Sequence, residues 1–89
     1  MYSLSIENKF MNKKNDENFE TFLLKIGENI KSARENKGIT QAQMYLEPYS
    51  FERRNWQRIE SGRKNITLKT LFHIAKKLNI PPKDLLDIE

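Results

Sequence analysis

Six of the sixteen basic residues fall in one short stretch. Arg53, Arg54, Arg58, Arg63, Lys64 and Lys69 lie between positions 52 and 69, opposed there by Glu52 and Glu60 alone. The stretch therefore holds the whole formal net charge of +4, because the other ten basic and ten acidic residues cancel. A guanidinium offers a planar fork of N–H donors that can engage two acceptors at once. An arginine fork matches O6 and N7 of guanine, and a glutamine amide matches N6 and N7 of adenine. Arg53, Arg54, Gln57 and Arg58 are of types that can meet base edges, and Arg63, Lys64 and Asn65 of types that can hold phosphates, which set affinity and register without reading sequence. The rival reading is a solvated charged helix face. A field gathered into one stretch is the footprint of a surface that faces DNA.

Other chemistries find little support. The chain has no cysteine and a single histidine, His73, so no disulfide framework or cysteine–histidine zinc site is expected. No nucleophile–base pair, metal-ligand spacing or phosphate-cradling glycine loop is visible, and neither catalysis nor a metal or cofactor is expected. No apolar run approaches the length of a membrane span, and no secretion signal opens the sequence. A cytoplasmic protein without membrane contact is the expectation.

These residues need elements to present them. At 89 residues one domain is expected. Residues 1–17 read as a flexible N-terminal arm, polar over Asn12 to Asn18, with Tyr2, Leu4, Ile6 and Phe10 scattered ahead. Residues 18–89 form the domain. Phe19, Phe22, Leu23, Ile26, Ile30 and Ala33 recur at steps of three and four, which predicts an amphipathic helix closed by Gly38. Thr40 and Gln43 form a capping box for a second helix, with Met44 pointing inward. Pro48 stops that helix at or before Glu47, and 48–51 is the predicted turn. A third helix is predicted over 51–61, ended by Gly62, with Trp56 and Ile59 inward. Thr67 caps a fourth helix carrying Leu68, Leu71, Phe72, Ala75 and Leu78. Pro81 and Pro82 open a short fifth helix, and Leu85, Leu86 and Ile88 complete the core. The roles of Tyr45 and Tyr49 stay open, and His73 reads as a surface or interface residue.

The order of these parts resembles the Cro and cI phage-repressor type of helix-turn-helix family. The matching residues are Ile30, Ala33, Arg34, Lys37-Gly38-Ile39-Thr40-Gln41, Met44, Trp56, Ile59-Glu60, Gly62, Thr67-Leu68, Leu71, Ala75, Leu78 and Ile80-Pro81-Pro82 with Leu85-Leu86. The resemblance implies an all-α, five-helix, lambda-repressor-like DNA-binding domain. It also implies that the third helix enters the major groove with Arg53, Arg54, Gln57 and Arg58 near base edges. By the same resemblance Gln41 touches phosphate and buttresses that helix, and Arg34 and Glu60 form a structural ion pair. The Met44-to-Trp56 spacing is one residue longer than the family's, Tyr45 replaces a small residue, and the turn glycine is missing. Trp56, Ile59 and Glu60 anchor the register of the third helix.

Small members of the family include phage and plasmid repressors, antitoxins and restriction-modification controller proteins, and the run Arg63 to Leu71 looks most like the controllers. The resemblance implies double-stranded DNA as partner and a homodimer on a near-palindromic operator. Dimer contacts are expected from Leu78, Ile80, Leu86 and Ile88 or from the arm. The competing function is an antitoxin-like interaction module that holds a partner protein.

Overall fold

The computed structural model describes residues 13–88, with side chains from residue 18 onward. Residues 1–12, and with them most of the expected arm, lie outside the described residues. The first helix, α1 (Lys13–Asn36), starts ahead of Phe19, where the apolar stripe begins. It is followed by α2 (Gln41–Met44), α3 (Arg53–Glu60), α4 (Leu68–Leu78) and a 3-10 helix (Pro82–Leu86). The described residues contain no strand. Four α-helices and a 3-10 segment thus stand where five helices were expected.

Local chemistry explains most boundaries. The Thr40 hydroxyl accepts from the Gln43 N–H, and the Gln43 side chain accepts from the Thr40 N–H, which is the predicted box. The Thr67 hydroxyl accepts from the Thr70 N–H in the same way. Helices α1, α3 and α4 end on left-handed residues, Gly38, Gly62 and Asn79. At each end two N–H groups fold back onto carbonyls of the last turn: Ile39 onto Arg34, Arg63 onto Arg58, and Ile80 onto Ala75 are the longer loops. This satisfies carbonyls that a helix end leaves unpaired.

Besides the start of α1, which takes residues 13–17 of the expected arm into a helix, two boundaries differ from expectation. Helix α2 stops after one turn, at Met44, and the connection to α3 runs through residues 45–52 rather than 48–51. Helix α3 starts at Arg53, because the Glu52 carboxylate caps it by accepting from the Asn55 N–H at 2.9 Å. Phe51 stays outside the helix and lays its ring on Trp56, with centroids 5.0 Å apart. That is a hydrophobic staple, a residue before the cap packing on the first turn.

The core comprises Ile26, Ile30, Met44, Trp56, Ile59, Leu71, Ile74, Ala75, Leu78 and Leu85. Helix α1 supplies its central part only. Phe19 and Phe22 remain 44% and 38% exposed, because the tightest contacts with the other elements run from Leu24 to Arg34. Leu86, expected in the core, is 43% exposed: the tight 3-10 turn buries Leu85 and turns its neighbour out. Leu86, Phe19, Phe22, Leu23, Ile66 and Leu68 border an open apolar groove.

Helices α1 and α3 touch backbone to backbone. A Cβ on Gly27 would sit 2.7 Å from the Glu60 carbonyl oxygen, and one on Gly62 would sit 2.6 Å from the Leu24 Cα. This close approach brings the C-terminal turn of α3 hard against α1, and it sets the depth at which α3 lies. The Asn29 amide then ties α1 to the C-terminal segment, donating to the carbonyls of Leu85 at 3.1 Å and Asp87 at 3.2 Å. Among the described residues no helix is long and apolar enough to cross a membrane.

Candidate nucleic-acid interface

Helix α3 has a buried side and an outward side. Trp56, Ile59 and Glu60 are buried, whereas Arg53, Arg54, Gln57 and Arg58 are exposed. The 3.6-residue period accounts for part of this split: 53 and 57 lie on one row, 54 and 58 on the next, and 56 and 59 turn away from both. Glu60, seven residues after Arg53, returns to nearly the same angular position at the far end of the helix, and it is buried there because Arg34 and Gln41 cover it. Glu52, Arg53, Arg54 and Gln57 surround a shallow depression at the start of the helix. Among the described residues no hydrogen bond or ion pair engages the side chains of Arg53, Arg54 or Gln57, so their donors face solvent. Arg58 leans towards the end of the helix, where its Nη2 donates to the Arg63 carbonyl at 3.4 Å.

The buried side is bolted down by one carboxylate. Oε2 of Glu60 accepts from Arg34 Nε at 2.5 Å and from Trp56 Nε1 at 2.9 Å. Oε1 accepts from Arg34 Nη2 at 3.2 Å and from Gln41 Nε2 at 3.0 Å. The remaining Arg34 nitrogen, Nη1, donates to the Ile39 carbonyl at 2.7 Å. Helices α1, α2 and α3 therefore meet at a single charged group. Among the described residues no buried side-chain nitrogen or oxygen lacks a partner. The hydrogen bond to Glu60 raises the Arg34 pKa, outweighing the cost of burial, so the guanidinium stays charged.

Gln41, expected at phosphate, directs its amide inward onto Glu60, which is the buttressing half of its expected role. Arg63, Lys64 and Asn65 follow Gly62 in the connection to α4. Arg63 and Asn65 are exposed and Lys64 half-buried, and Asn65 reaches the rim of the apolar groove. The exposed residues of α3 and this connection are consecutive in the chain, so six basic residues follow one another through α3 and into the start of α4. Leu78, named as a dimer contact, is fully buried and cannot serve as one; Ile80, Leu86 and Ile88 keep accessible surface.

Three features escaped the sequence reading. Glu52 is a weak cap by residue type, so nothing marked α3 as starting at Arg53. Asn29 makes its bonds to residues 56 and 58 positions away, a distance that no local spacing betrays. Lys77 and His73 reach across from α4 to the connection between α2 and α3. Tyr49 stacks on His73 at 4.5 Å between centroids, which settles one open tyrosine. Tyr45, the other, packs half-buried against the core.

The family described as helix-turn-helix domain matches residues 27–89, more than half of the chain. No curated protein and no solved structure matches it. The matched span opens at Gly27, where α1 meets α3, and takes in Gln41 and all of residues 52–69.

Proposed function

The chain belongs to the helix-turn-helix domain family, and from that premise we propose that it is a sequence-specific double-stranded DNA-binding regulator of transcription, of the Cro and cI repressor type, acting in the cytoplasm. The observation that carries the reading is the outward face of α3, where Arg53, Arg54 and Gln57 project without a partner among the described residues, from a helix anchored through Trp56 and Glu60. A major groove admits one helix, and rigidity is what turns donors into a readout. Arg63, Lys64 and Asn65 then hold phosphates beside the groove, and Gln41 keeps α2 seated against α3.

An eight-residue helix spans few base pairs, so the regulator works as a homodimer on a near-palindromic operator, with half-sites about one helical turn apart. Accessible Ile80, Leu86 and Ile88 are candidate contacts. Within the family, the likeness of the run Arg63 to Leu71 points to the controller proteins of restriction-modification systems. The apolar groove at Phe19, Phe22 and Leu68 favours a second reading, a module that holds a partner protein. Recovery of a stoichiometric partner with the purified chain supports that one.

Selection of bound duplexes from a random pool, followed by a salt titration on the winner, tests the first reading. Affinity should fall steeply with salt, because each phosphate contact releases counterions. Arg53→Ala and Arg54→Ala should each lose about 1–3 kcal/mol of discrimination at one base position. Arg63→Ala should weaken all duplexes alike and lower the salt slope by about one. No enrichment from the pool, together with a salt-independent affinity, would overturn the assignment.

A further inference from the structure

We propose that Lys77 is a positioning residue for DNA recognition: from α4 it clamps the α2–α3 connection and thereby sets where α3 is presented. This rests on the DNA-binding reading above. The connection, residues 45–52, is one residue longer than the family spacing and lacks a turn glycine. Tyr49 adopts the left-handed conformation instead, at φ 55°. The two ends of the connection are tied to their neighbours: the Tyr45, Leu46 and Phe51 N–H groups donate to carbonyls of α2, and the Tyr45 and Phe51 side chains pack on the core. Its middle, residues 47–50, has one bond of its own, from the Ser50 hydroxyl to the Glu47 carboxylate at 3.0 Å, and is held from outside.

Three of its carbonyls converge on one atom. The Lys77 ammonium donates to the carbonyl oxygens of Pro48 at 2.8 Å and Tyr49 at 3.4 Å, and to that of Leu46. One turn earlier on α4, His73 carries the Tyr49 ring. Helix α4 thus grips the connection at two points four residues apart. The neighbouring Ile74 and Leu78 are buried in the core, so the helix that carries both groups is fixed. Partial burial lowers the pKa of Lys77, with the Glu47 charge opposing. Hydrogen bonds from a charged donor are about twice as strong as neutral ones. By spacing alone Lys77 reads as one more cation in the last turn of a helix.

A phosphate contact is the rival role for any lysine on such a domain, and the two roles leave different signatures. The test uses the full chain with Lys77→Met and Lys77→Arg. In the free protein, hydrogen exchange at the Phe51 amide should speed up about tenfold in Lys77→Met, while the Leu71 and Ile74 amides keep their protection. Lys77→Arg, which retains charge and donors, should restore most of it. On DNA, the ratio of affinities for the selected duplex and a random duplex should fall about tenfold in Lys77→Met, with an unchanged salt slope. Equal losses on both duplexes with a slope smaller by about one would make Lys77 a phosphate contact and overturn the proposal. Unchanged Phe51 exchange overturns the clamp whatever happens on DNA. If wild-type protein binds no duplex, the regulatory reading fails and the link to recognition fails with it, while the exchange result still decides the clamp. Should Lys77→Met not fold, Tyr49→Ala releases the second grip; faster Phe51 exchange there supports the proposal and unchanged exchange overturns it.

Discussion

Glu60 is the residue on which the arrangement turns. Its two oxygens accept four hydrogen bonds, from Arg34, Gln41 and Trp56, and they lie beneath a helix whose other side is strongly basic. A buried ion pair adds little over an apolar replacement, yet removing one partner strands the other. Glu60→Ala should therefore cost about 3–5 kcal/mol, a large share of what a domain this size holds in reserve. Guanidinium denaturation measures it. Arg34→Met combined with Glu60→Met should cost clearly less than the two single changes added together. Additive losses would mean that the two side chains act independently. The same carboxylate keeps Gln41 turned inward, so its loss also frees α2 relative to α3.

Helix α3 is short, and its ends are handled by neighbours rather than by propensity. Its start is set by the Glu52 cap and the Phe51 ring on Trp56. Glu52→Ala should cost about 1 kcal/mol, whereas Glu52→Ser, a stronger cap type, should match or exceed the parent in thermal stability. Loss of the Glu52 charge beside Arg53 and Arg54 should tighten binding to any duplex in both variants; unchanged affinities at low salt, where the charge counts most, would place Glu52 away from the DNA. The end of α3 rests on α1 through Gly27, where a Cβ would stand 2.7 Å from a carbonyl oxygen. Backbone cannot yield as a side-chain tip can. Gly27→Ala should cost about 1–3 kcal/mol from overpacking, read by denaturation, even though alanine is the better helix former.

Across the whole molecule, the elements around α3 serve as its mount. Asn29 fastens the 3-10 segment to α1, which keeps Leu85 in the core and turns Leu86 out beside Phe19, Phe22 and Leu68, the last 79% exposed. Asn29→Ala leaves two carbonyls without these donors and should cost about 1–2 kcal/mol. Exchange at C-terminal amides should quicken before that at α4 amides. The accessible Leu86 also bears on assembly. Sedimentation of wild type and Leu86→Asp, with and without operator, checks the dimer: a wild type that stays monomeric on a palindromic duplex would remove the homodimer from the proposal.

Much of this was legible in the chain itself. Helical periods, the caps at Thr40 and Thr67, the closures at Gly38 and Gly62 and the inward Trp56–Ile59 pair all depend on neighbours within one turn, and local sequence carries such information. The concentration of charge over 52–69 marked the surface proposed to meet DNA. Tertiary packing settled the rest, because the partners are far apart in sequence: where α3 begins, how close it lies to Gly27, why Leu86 faces out while Leu85 does not, and that α4 reaches back through Lys77 to hold a connection 28 to 31 residues earlier. A hydrogen bond between distant segments leaves no period to read, since its geometry exists only once the core has brought the two segments together.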